Sequence, residues 1–330
     1  MKHNIQITII ILSMFILTQF IGLLVVNAYS PIHKQIINET TGEIQNVTID
    51  KLPEGFQPPA DIKPMEFLPM LIISFVLAIV IMLILMKFGL NRILKFWFFI
   101  VVIIAIGLTL NAILALFPSL NKFIIPGNLT YAFFISLVLA LPLAIYKIFK
   151  RNILVHNFTE LMIYPGLAAV LVPLFNIPAI IIILIIISIY DAWAVWHSGI
   201  MQKMAKFQMN ELKIFAGFFI PYIGKKQKQE IDLIKSKYKS QISRDKAVKK
   251  KKIQISLAIL GGGDVIFPII AAGTLLRLYG WTPAIFIIFG ALAGLSFLLL
   301  ISQKKKFYPA MPFITAGIFL AMLVWRLFLF

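Results

Sequence analysis

Cysteine is absent from the 330-residue chain. Its absence excludes disulfides, iron–sulfur clusters, thiolate zinc sites and cysteine nucleophiles. Acidic residues are scarce, 13 against 31 lysines and arginines. Histidine is scarcer still, and the four present (His3, His33, His156, His197) have no metal-ligand spacing. No Gly-x-Ser-x-Gly pattern occurs, so a serine–histidine hydrolase has no anchor either. No repeat of 20–50 residues is present, which removes solenoids and propellers.

What the chain does have is apolar surface. It is 60% hydrophobic with a mean hydropathy of +0.94, the composition of a multi-span membrane protein. The net charge of +18 is gathered in a few polar intervals, so cytoplasmic loops explain it better than nucleic-acid binding does.

Nine apolar stretches can cross a ~30 Å hydrocarbon core. They are Ile5 to Val26, Phe67 to Met86, Phe96 to Phe117, Leu129 to Tyr146, a proline-interrupted Thr159 to Phe175, Ala179 to Val195, Ile253 to Leu276, Pro283 to Ile301, and a last span from Pro309. The first exceeds the usual apolar length of a cleaved signal peptide and reads as a retained span. Asn27 to Glu66 reads as an outer loop holding two sequons, at Asn38 and Asn46. Lys87/Arg92/Lys95, Lys147/Lys150/Arg151 and Lys304 to Lys306 fall on one side, together with a basic interval from His197 to Lys252. The positive-inside rule then predicts a cytoplasmic N-terminus and an external C-terminus. Within the basic interval, Leu212 to Ile220 reads as a surface-lying helix. The chain divides into a six-span half (1–196), the basic cytoplasmic loop (197–252) and a three-span part (253–330).

Under this map ten of the thirteen acids lie in loops, the exceptions being Glu160, Asp191 and Asp264. Glu160 falls at the edge of the fifth span, where it can reach the interface. Asp191 and Asp264 sit inside neighbouring antiparallel spans at similar depth, about 1.5 Å of rise per residue from the inner ends. A carboxylate at that depth is costly and marks function by default. Two carboxyls held close in low dielectric cannot both ionise. One proton shared between them around a water is aspartic-protease chemistry. The same pair also suits a proton- or cation-coupled transporter or leak channel, and charge placement leaves the two readings level.

Gly261-Gly262-Gly263 precedes Asp264 directly. Glycines there give room for a substrate backbone to approach, or for helices to pack closely. Tyr308-Pro309-Ala310-Met311-Pro312 opens the last span, as a non-helical turn or a simple helix start.

Together, Tyr190-Asp191, Gly261-Gly262-Gly263-Asp264 and Pro309-Ala310-Met311 resemble the Tyr-Asp, Gly-x-Gly-Asp and Pro-Ala-Leu motifs of the presenilin/signal peptide peptidase family. They fall in the family's order on the sixth, seventh and ninth spans, and Met311 departs from the usual leucine. The resemblance implies an all-α bundle of nine transmembrane helices and an intramembrane aspartic endopeptidase without a cofactor or metal. It implies Asp191 and Asp264 as the catalytic pair, with Tyr190, Gly261, Gly263, Pro309, Ala310 and Met311 shaping the substrate site. Substrates would be membrane proteins or signal peptides, unwound and added to an enzyme strand. The orientation matches the presenilin branch rather than the inverted signal peptide peptidases. By analogy, the short loops suggest an archaeal enzyme of the cell membrane, acting without obligatory accessory subunits or nucleic acid. A prepilin-peptidase-like enzyme shares Gly-x-Gly-Asp but usually has fewer spans.

Overall fold

The computed structural model describes residues 5–37, 44–49, 51–53, 64–117, 124–125, 129–150, 152–198, 216–222, 256–302 and 308–329, with isolated positions between them. Most of the basic interval 197–252 and the sequon at Asn38 lie outside these residues.

Among the described residues are nine long helices: α1 (Ile5–Ala28), α2 (Pro64–Lys87), α3 (Asn91–Leu114), α4 (Tyr131–Phe149), α5 (Ile153–Leu171), α6 (Ile177–Trp193), α7 (Gly262–Tyr279), α8 (Trp281–Ile301) and α9 (Met311–Leu329). The first eight are long and apolar enough to cross a membrane, and the apolar part of α9 runs Met311–Leu327. Leucine, isoleucine and alanine dominate them, and polar caps mark several starts. Asn152 Oδ1 accepts from Leu154 N at 2.9 Å, and Asn176 Oδ1 from Ala179 N at 3.0 Å, with Pro178 in the first turn of α6.

One core cluster joins α1, α5, α6, α7, α8 and α9, and a second joins α3, α4 and α5. The α8–α9 contact is backbone on backbone: a Cβ on Gly290 would lie 2.5 Å from the Ala321 Cβ, and one on Gly317 would strike the Gly290 carbonyl. Small residues allow this approach where lipid supplies no hydrophobic drive. In contrast, α2 stands at the margin with only 6% of its apolar stretch buried.

The described residues also form three two-stranded antiparallel sheets: β1 (Ile32–Ile37) with β2 (Ile44–Ile49), β3 (Ile124–Ile125) with β4 (Leu129–Thr130), and β5 (Gly217–Tyr222) with β6 (Ser256–Gly261). The third corrects two expectations. The stretch read as a surface helix ends in a strand, with Phe218 and Ile220 in the main core. The seventh span is extended over Ser256–Gly261, and α7 begins only at Gly262. Glycine is a poor helix interior residue, so helix starts within the glycine run and the apolar residues before it pair as a strand.

Glu160 is likewise corrected. It is 1% exposed, deep between helices, because Lys147 of α4 turns inward to form a buried ion pair with it.

Candidate active site

The helix start at Gly262 places Asp264 at the third position of α7, in the turn where unpaired N–H groups and the helix dipole favour a carboxylate. Gly261 is the N-cap, and its backbone N–H donates back to the Asp264 carboxyl. This is the reciprocal half of a capping box, with an aspartate in the place of the usual glutamate. A Cβ on Gly261 would lie 3.1 Å from Asp264 Oδ2, so the cap and the carboxyl are in contact.

Asp191 lies in the last turn of α6, just before a π-helical turn, Ala194–Ser198. It is buried, and Oδ2 accepts from the Met311 N–H at 3.0 Å; the Ala310 N–H also donates to the carboxyl. Tyr190 turns to the bundle margin, its ring 6.0 Å edge-on from Phe75 of α2. Because α6 and α7 are antiparallel, Asp191 and Asp264 share one end of the bundle, within electrostatic reach of each other.

Tyr308, Pro309 and Ala310 are non-helical, and the Ala310 carbonyl accepts from Ile314 N at 3.1 Å as α9 begins. The turn thus delivers two amides to Asp191 while Met311 enters the main core.

The three glycines differ. A Cβ on Gly262 would press on Tyr164 of α5, 2.8 Å from its Oη, whereas on Gly263 nothing comes nearer than Phe267 at 4.0 Å. Tyr164 Oη and Glu160 Oε2 are both buried and stand one turn apart on α5, within reach of each other. Tyr164 also lies within electrostatic reach of Asp264.

Sequence reasoning did not single out the groups that hold this end together. Gln19 of α1 donates through Nε2 to the Val265 carbonyl at 2.9 Å, next to Asp264. Its only signal was an amide inside an apolar run. The β5–β6 hairpin is anchored on α5 by His156, whose Nε2 lies 2.8 Å from the Gly217 carbonyl, and by Asn157. In the sequence these two stand out only as polar residues four and three positions before Glu160.

The ladder parity of this hairpin decides which edge is open. Gly262 N–H donates to the Ala216 carbonyl at 3.2 Å, and the register pairs Phe218 with Leu260 and Ile220 with Ala258. Hydrogen-bonded pairs alternate along an antiparallel ladder. Gly217 and Phe219 therefore point their backbone groups away from β6, toward α5. Ile259 and Gly261 point theirs away from β5, and Ile259 is 40% exposed.

A polytopic helical bundle with two carboxyls at one end, beside a strand edge, is the frame of an intramembrane enzyme. The sequence profile described as signal-peptide peptidase, presenilin aspartyl protease matches residues 55–329, and the chain belongs to that family. It is an intramembrane aspartic peptide hydrolase and a multi-pass membrane protein. Two solved structures of a presenilin family intramembrane aspartate protease share the fold. The one in space group C222 is 17% identical with a TM-score of 0.53, covering 95% of this chain and 96% of that one. The one in P2 is 16% identical with a TM-score of 0.55, covering 96% of each. No curated protein matches by sequence.

Proposed function

We propose that Asp191 and Asp264 are the catalytic pair and that the substrate is a membrane-spanning segment or signal peptide, cleaved in extended form. One carboxylate takes a proton from water, whose oxygen attacks the scissile carbonyl carbon. The other carboxyl donates its proton to the carbonyl oxygen. Collapse of the tetrahedral gem-diol breaks the C–N bond. The carboxyl that took the water's proton passes it to the leaving nitrogen, and a gem-diol hydroxyl returns its proton to the other carboxylate, restoring the starting pair. The extended segment pairs with the outer edge of β6 at Ile259, a β-augmentation that satisfies substrate backbone groups in a medium with little water. Tyr190, Gly261, Gly263 and Pro309 to Met311 border that path. The enzyme acts in the cell membrane with its N-terminus cytoplasmic, and without accessory subunits.

The observation that supports this reading is that both aspartates lie at the same end of the bundle, within electrostatic reach of each other, where β6 runs into α7. The test is cleavage of a single-span substrate in liposomes. Asp191→Asn and Asp264→Asn should each lower the rate on the order of a thousandfold or more, with folding retained. Undiminished cleavage in both variants, or aspartate-dependent ion flux without proteolysis, would refute it.

A further inference from the structure

We infer that Asn157 is a positioning residue that takes the place of a third strand: its side-chain amide occupies the free edge of β5, fixing the hairpin's register and leaving β6 as the edge where substrate adds. This rests on the protease reading above.

Asn157 Oδ1 accepts from the Phe219 N–H at 2.9 Å, and Nδ2 donates to the Phe219 carbonyl at 2.8 Å. Both backbone groups of one residue are met by one primary amide, which is what a neighbouring strand residue would offer. His156 extends the same edge through its contact with the Gly217 carbonyl, two residues earlier. Its ring also stacks on Phe219, with centroids 4.7 Å apart. The support beneath is stiff: His156 Nδ1 lies 3.4 Å from Lys147 Nζ, and Lys147 pairs with Glu160 one turn further along α5.

The consequence is one of register. An isolated two-stranded ribbon is marginal and can slip, and a slip of two residues preserves which face each side chain takes. With Phe219 held by α5, β6 is held opposite it, and Gly261 enters α7 at a set height. Ile259 then presents its edge at a set distance from Asp264. Register in β5 is thereby converted into the choice of scissile bond.

Two readouts test this. The chain has no cysteine, so engineered pairs report register without background. Pro221→Cys with Leu257→Cys reports the native pairing, and Pro221→Cys with Ile259→Cys reports a slip of two. Adding Asn157→Leu should lower the native disulfide yield several-fold and raise the slipped one. In the cysteine-free protein, Asn157→Leu should lower kcat/KM about tenfold, chiefly through KM, and add cleavage positions resolved by mass spectrometry. Thr109→Val, which removes a partly buried bond from Thr109 Oγ1 to the Met162 carbonyl, is the control. It should lower thermal stability with the cleavage position unchanged.

If Asn157→Leu does not accumulate, Asn157→Asp keeps the acceptor for Phe219 N–H and loses the donor, and should show the same changes in weaker form. Native disulfide yield with a single wild-type cleavage position in the Asn157 variant would overturn the inference. Full cleavage by Asp264→Asn would instead overturn the protease reading, and the disulfide result would still decide the register.

Discussion

The Met311 backbone N–H donates to Asp191 Oδ2 at 3.0 Å, tying the first residue of α9 to the last turn of α6. The donor is main chain, so the bond persists under any substitution at 311 that keeps the packing of this core side chain. Met311→Leu should leave kcat within about twofold, since the two side chains are close in volume. Met311→Pro removes the N–H at a position where proline suits the helix start. It should lower kcat about tenfold or more with circular dichroism unchanged. Equal activity in the two variants would show that the amide does not orient Asp191.

Gly262 and Gly263 should respond differently to a single methyl. A Cβ at Gly262 would lie 2.8 Å from Tyr164 Oη and 2.9 Å from its Cε1, while at Gly263 the nearest neighbour is 4.0 Å away. Gly262→Ala must displace Tyr164 or the start of α7, and Asp264 with it. Activity should fall about tenfold, and folding stability should drop by about 1–3 kcal/mol through overpacking. Gly263→Ala should melt like wild type, because no folded neighbour meets its methyl, and its effect should be confined to cleavage, where the methyl narrows the substrate path.

Lys147 and Glu160 form an ion pair whose side chains are 4% and 1% exposed. Removing one partner leaves an uncompensated buried charge, a loss of about 3–5 kcal/mol. Lys147→Met should therefore melt far below wild type in detergent. The double variant Lys147→Met/Glu160→Gln should recover much of the loss, because no charge remains to be desolvated. A double variant no more stable than Lys147→Met would contradict the buried-pair account.

Apolar length made the spans legible. Every expected stretch overlaps an observed helix, because a membrane segment must bond its own backbone and so declares itself by composition. The motif aspartates were legible too, since a carboxylate in an apolar run is conspicuous. Glu160 was misread by the same logic: an acid near a span's end suggests the interface, and its partner Lys147 is thirteen residues away on another helix. The β5–β6 pairing was hidden for a similar reason. Phe218 and Leu260 are apolar enough for helix or strand, and only contact across the long basic interval selects the strand.

By itself, the sequence determined the class of molecule: a cysteine-free, basic, polytopic helical protein with two carboxyls at membrane depth, in the motif order of the aspartyl protease family. These are matters of composition and order along the chain, which need no partner to be true. Tertiary structure alone decided the surroundings of the carboxyls. It set Asp264 in a helix's first turn rather than its interior, gave Asp191 two amides from the start of α9, and placed Asn157 on the edge of β5. The first follows from the pairing of Ser256–Gly261 with β5, and the other two are contacts between residues far apart in sequence, where a polar group must find a partner.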